Sequence, residues 1–215
     1  MSNETNVVMK NMTNNAGTGK KMNYGVRFTT MTAMLSAIAF ILMYLEIPLP
    51  MIMPDFIKFD FSDLPALIGT FAFGPVSGVI ICLIKNLLHL MVSKSMFVGE
   101  LSNFILGAVF VGISGLYYKS HKTKKGAVVG ALIGSFVMAA VSFPSNLYVV
   151  YPVYYNFMPK ETIIQAYQMI FPAVDSIEKC LLIFNVPFTF VKGLINVLIT
   201  VFVYKKISPI IHGVK

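Results

Sequence analysis

The chain has 215 residues, of which 56% are hydrophobic and 12% charged, with a formal net charge of +8. That composition excludes an ordinary soluble domain, in which about a quarter of residues are charged. The basic excess does not signal nucleic acid, because the Lys and Arg residues gather at the ends of apolar segments, as in proteins oriented across a membrane. The reading is an all-α integral membrane protein.

Residues 1–23 are polar and rich in Asn, Thr and Lys. They lack the apolar stretch of a secretory signal and are read as a disordered cytoplasmic tail. Gly17, Gly19 and Lys20 faintly echo a phosphate loop. The full spacing, the Ser/Thr after the lysine and a preceding strand are missing, so the chain shows no ATP site of its own.

Six apolar segments follow, near 26–45, 62–73, 75–92, 100–118, 126–152 and 177–204. They predict a six-transmembrane-helix bundle over 24–207, with a cytoplasmic tail at 208–215. A span needs about 20 residues, so the second segment is too short to cross upright. It must tilt, thin the bilayer or be buried among its neighbours. Gly74-Pro75 breaks the chain between the second and third segments. Pro144 and Pro187 interrupt the fifth and sixth, where each removes a backbone donor.

With the N-terminal tail inside, six crossings return the C-terminus to the same side. Lys10, Lys20, Lys21, Arg27, Lys119, Lys122, Lys124, Lys125, Lys205, Lys206 and Lys215 then lie inside. Outside fall Lys58, Lys94, Lys160 and Lys179. This Lys/Arg asymmetry supports an even number of crossings. Cys82 and Cys180 both sit in apolar segments and read as small buried hydrophobes. Neither a disulfide framework nor a metal site is visible.

Two outer connections carry information. Residues 46–61 hold three prolines and several large apolar side chains. Such a loop either folds back as a lid over the bundle mouth or rests on lipid headgroups. Residues 153–175 contain an amphipathic stretch, ETIIQAYQMI, suited to an interfacial helix. Small residues mark helix contacts: Ala33 and Ala37 on the first helix, and Gly126, Gly130 and Gly134 on the fifth. The glycines read as packing within the chain. The alanine pair reads either as internal packing or as a face for a membrane partner.

Lys85 and Lys192 lie inside otherwise apolar segments, where a cation costs about 2.5–3.5 kcal/mol on the mildest scale. Asn86, Glu100, Asn103 and Asn146 lie in or beside such segments. Lys192 is the deepest, about 22 Å along the sixth helix at 1.5 Å per residue. Thr189 lies one turn above it on the same face. The inner halves carry almost nothing polar, which predicts a pocket open outward and closed inward. Structural roles compete for each residue. Lys85 can pair with Glu100 or snorkel, Asn86 can join helices, and His89 can sit at the interface. Asp60, Ser62 and Asp63 can cap the second helix.

Several runs resemble a known family: KFDFSDLPALIGTFAFGPVSGVIICLIKNLLHLM, VGELSNFILG, NLYVVYPVYY and VPFTFVKGLIN. They are similar to the riboflavin-specific substrate-binding (S) component of energy-coupling factor vitamin transporters. The resemblance covers about 26–204. It implies a multi-pass protein of the bacterial cell membrane that captures riboflavin from outside. Such a component docks on an energising module of one membrane scaffold subunit and two ATPases.

The resemblance assigns Asn146 and Lys192 to the isoalloxazine ring and Glu100 to ribityl hydroxyls. Ala33 and Ala37 fall on the docking face. Thr189 stands where the family carries an asparagine. Lys85, Asn86 and Asn103 complete the polar set, and Met, Leu and Pro side chains of 46–54, Leu49 among them, can cover the ring. Riboflavin enters as transported ligand, with no cofactor and no metal. The chemistry agrees: a carboxamide offers donor and acceptor together, and an ammonium offers donors, to a neutral flavin. FMN would need a denser basic cluster than the outer rim shows. Other readings are an S component for a different vitamin, a secondary transporter and a membrane enzyme. The last two lack an internal repeat and a nucleophile–base pair.

Overall fold

The computed structural model describes residues 24–93 and 97–212, without the side chains of Tyr24 and 204–212. The tail at 1–23, with Gly17, Gly19 and Lys20, lies outside the described residues, as do Lys94 and Lys215. Among the described residues, five helices are long and apolar enough to cross a membrane. They contain α1 (Tyr24–Tyr44), α3 (Pro75–His89), α4 (Val98–Ser120), α5 (Lys124–Tyr154) and α7, which begins at Ile177 and runs on through His212. The C-terminal helix therefore continues into the region assigned to a tail from residue 208.

The short second segment is α2 (Asp63–Phe73). Its 11 residues reach only about 16 Å at 1.5 Å per residue, against a hydrocarbon core of about 30 Å. Nine of them, Asp63 through Phe71, are buried. Of the three routes open to a short segment, this one is burial: α2 is wrapped by α1, α3, α4 and α7. Gly74, at φ 97°, takes a left-handed conformation that favours glycine. Pro75 then opens α3 with its fixed φ, and the chain reverses in one step.

Close helix approach is made by small residues. A Cβ on Gly134 would lie 2.3 Å from Ser114 Oγ and 2.7 Å from the Phe110 carbonyl. The glycine series of α5 therefore packs against α4 inside the chain, as its spacing predicts. Ala33 and Ala37 are exposed instead, on the face of α1 that also carries Met34, Ile38 and Ile41. They do not pack into this chain's core.

The prolines do not sever their helices. In α5 the chain widens into a π-helical turn at Asn146–Val150, just after Pro144, and in α7 into another at Leu181–Asn185, just before Pro187. Such turns re-satisfy displaced backbone groups and recur at functional sites. A short helix, α6 (Lys160–Gln168), packs over these ends through Ile163 and Tyr167.

The loop at 46–61 is structured. β1 (Ile47–Pro48) pairs antiparallel with β2 (Lys58–Phe59), and Glu46 pairs with Lys58 across the hairpin. The Phe56 ring lies 5.7 Å from Tyr154 and 6.0 Å from Tyr167, and Met53 is fully buried. The loop thus folds onto the bundle.

Candidate functional site

One end of the bundle holds a cavity of about 360 Å³, within the usual range for small-molecule sites. Its wall draws on every long element: Met43 at the end of α1, Asp63 at the start of α2, His89 at the end of α3, Glu100 at the start of α4, Asn146 in α5 and Lys192 in α7. Successive helices therefore alternate in direction. The basic stretch Lys119–Lys125 belongs to the connection between α4 and α5, at the other end.

Five residues singled out in the sequence meet at this cavity: Asn146, Lys192, Thr189, Glu100 and Asn103. Three do not line it. Lys85 is fully buried behind it. Asn86 donates to the Cys82 carbonyl at 2.7 Å, within its own helix. Leu49 is half-buried, and its carbonyl accepts the Ile52 and Met53 amides. The loop lines the cavity through Glu46 and residues 55–58 instead.

The electrostatic centre is a quartet of two carboxylates and two ammonium groups. Lys85 donates to Asp63 Oδ1 at 2.5 Å, and Lys192 donates to Asp60 Oδ2 at 2.8 Å. Lys192 also lies 3.7 Å from Asp63 Oδ2. Asn103 joins the two pairs, accepting from Lys85 at 3.4 Å and donating to Asp60 at 3.2 Å. The four formal charges cancel, which is what a water-poor site requires of buried ions. Burial pushes the Asp60 carboxyl up, but the adjacent Lys192 and Lys85 charges bring it well below the usual carboxylate range.

Two expectations are corrected here. Lys85 pairs with Asp63 rather than with Glu100; Glu100 accepts from or donates to His89 Nδ1 at 2.7 Å. Helix rotation decides this, since depth alone put Lys85 and Glu100 at similar levels. The capping role for Asp60, Ser62 and Asp63 holds only for Asp60, which accepts the Ser62 amide at 2.8 Å. Ser62 holds the N-cap position of α2 without a side-chain cap bond, because its hydroxyl and amide turn to Asp60 Oδ1.

Other cavity residues went unmarked in the sequence. Asn185 lies four residues before Thr189 and seven before Lys192, one helical stripe that the spacing offered. It accepts from Tyr167 at 2.6 Å, and Tyr167 bonds Tyr151 at 2.6 Å, so a buried network braces the wall. Ser102 donates to Asn146 Oδ1 at 3.1 Å. That bond fixes the carboxamide with its oxygen on Ser102. Below Lys192, α7 carries buried Asn196 and Thr200. The inner half is therefore not free of polar groups, and Asn196 and Thr200 are uncharged.

The sequence and the architecture match known proteins. The family model "ECF transporter, substrate-specific component" matches residues 21–204. The chain belongs to the substrate-specific components of ECF transporters. Among curated relatives, the riboflavin transporter RibU of Staphylococcus aureus is 33% identical over 82% of this chain and 87% of its own length. The riboflavin transporter FmnP of Bacillus subtilis is 32% identical over 86% and 93%. A solved structure described as the S component of a bacterial ECF transporter superposes with a TM-score of 0.67 at 31% identity, covering 85% of this chain and 96% of that one. These relatives are transporter components, not enzymes, and this S component stands with them as a multi-pass membrane protein.

Proposed function

We propose that this S component binds riboflavin with high affinity from outside the cell and hands it to an ATP-driven partner. In this reading α2 counts as the sixth crossing segment, both termini are cytoplasmic, and the cavity faces outward under the 46–61 loop as lid. The observation that carries the reading is the convergence of Asn146, Thr189 and Lys192 on one cavity, in a chain whose relatives are named riboflavin transporters. Asn146, held by Ser102, keeps its amide hydrogens for a flavin carbonyl. Lys192 donates to Asp60 and retains further donors. Lys85, Asn86 and Leu49 act behind this contact surface. The exposed Ala33 and Ala37 form the docking face for a membrane scaffold subunit, which brings two ATPases.

The test is titration of purified protein with riboflavin, followed by quenching of flavin fluorescence. A co-purified flavin would also give a yellow preparation. Saturable quenching at one site per chain is the expected result, and no quenching by protein free of bound flavin would overturn the reading. Asn146→Ala should weaken binding about tenfold, the loss of one or two hydrogen bonds in a desolvated site. Lys122→Ala, at the opposite end, should leave it unchanged.

Thr189→Asn installs the asparagine that the family resemblance implies at this position. A carboxamide at this position reaches the same wall with donor and acceptor together, so affinity should hold or tighten. A tenfold fall would show that the Thr189 hydroxyl makes a contact of its own and would favour a different ligand.

A further inference from the structure

We propose that Lys85 and Asp63 are positioning residues: they hold Lys192 in balance between two carboxylates, and through Asp60 they tie the 46–61 loop to the cavity. The inference rests on the riboflavin reading for its ligand, but its core is the geometry of the quartet.

Lys85 is not available to a ligand. It is fully buried, and its ammonium meets Ser62 Oγ, Asp63 Oδ1 and Asn103 Oδ1. An ammonium has three donors, and these three oxygens account for them. Its role is therefore exerted on its neighbours. Asp63 is the neighbour it shares with Lys192, whose ammonium stands 2.8 Å from Asp60 and 3.7 Å from Asp63.

That unequal division requires Lys85. Remove its charge, and Asp63 becomes a buried carboxylate whose nearest cation is Lys192. Coulomb attraction at short range in a poorly solvated site is strong, so Lys192 moves toward Asp63 and away from Asp60. Asp60 lies one residue beyond β2 and anchors the returning arm of the loop. Asp60 keeps its bonds from Ser62 and Asn103 but loses its charged partner, and this weaker anchorage loosens residues 55–58, which line the cavity. One substitution behind the site thereby misplaces the ammonium and the loop together. Neutralising Asp63 at the same time removes the competing pull, and Lys192 returns to Asp60.

Three proteins decide the matter: native, Lys85→Met, and Lys85→Met combined with Asp63→Asn. Hydrogen exchange of residues 55–61 is measured without ligand, and riboflavin affinity by fluorescence quenching. The single variant should exchange faster at 55–61 and bind about tenfold or more weakly. The double variant should return exchange at 55–61 to near the native value and recover part of the lost affinity, since Asp63 itself stands in the cavity wall. A role in packing alone predicts that the double variant, lacking both groups, is no better than the single. Native-like exchange in Lys85→Met, or a double variant no better than the single, overturns the proposal. Should Lys85→Met fail to fold, the double variant must fold and show native exchange, and its failure also overturns the proposal. If the native protein does not bind riboflavin, the ligand reading falls, while the ligand-free exchange still decides the positioning role.

Discussion

Lys192→Ala should weaken riboflavin binding by more than a hundredfold, beyond what a single ligand contact supplies. A charged hydrogen bond in a desolvated site is worth about 1.5–3 kcal/mol, or ten- to a hundredfold. The quartet adds to this. Without Lys192, Asp60 and Asp63 are left with Lys85 as the remaining cation of the four, and breaking a buried pair costs about 3–5 kcal/mol. The variant should therefore bind poorly and melt at a lower temperature. Lys192→Ala with Asp60→Asn restores the charge balance, so it should recover much of the melting temperature and the share of affinity lost through the quartet, but not the ten- to hundredfold of the direct contact. Flavin quenching and thermal unfolding of the same preparations separate the two effects. Unchanged affinity in Lys192→Ala would remove this residue from the ligand site.

Ala33→Trp combined with Ala37→Trp should have the opposite profile: near-native riboflavin affinity and collapsed uptake. Both alanines are exposed on α1, and neither lines the cavity. An indole there fills space that no described part of this chain occupies, but it blocks close approach by a second helix. The measurements are riboflavin titration on purified protein and uptake by cells that carry the energising module. Normal uptake would sink the docking role. Loss of binding together with uptake would show that these alanines support the fold, despite their exposure.

Much of the architecture is legible in the sequence, because burying a charge or leaving a backbone group unpaired in lipid is costly. That rule brings out the apolar segments, and it marks Lys192, Asn146 and Glu100 as residues needing partners. It marks Lys85 equally well, yet the partner predicted for Lys85 is wrong. Depth along a helix can be counted from the chain, whereas rotation about the axis depends on packing. Rotation is what turns Lys85 to Asp63 and leaves Glu100 to His89.

Asp60 and Asp63 illustrate a second limit. Acidic residues before a short apolar run form a good capping pattern, and only the fold shows that both face lysines from other helices. Asn185 was missed for a different reason. It lies in a run dominated by Phe184, Pro187 and Phe188, whose bulk and proline break mask the stripe that links it to Thr189 and Lys192. The Tyr151–Tyr167–Asn185 network joins three separate elements, and nothing local in the chain announces it.

The two wide turns in α5 and α7 set an angular phase between each membrane shaft and its ligand-facing head. An α-helix advances about 100° per residue. The extra residue accommodated at Asn146–Val150 therefore lets Tyr151 and Tyr154 face the cavity while the shaft below keeps its glycine face on α4. Substitutions within such a turn leave the phase intact. Removing one residue would rewind it to an ordinary helix and swing everything beyond by about 100°. At these two points the count of residues determines which side chains beyond the turn face the cavity.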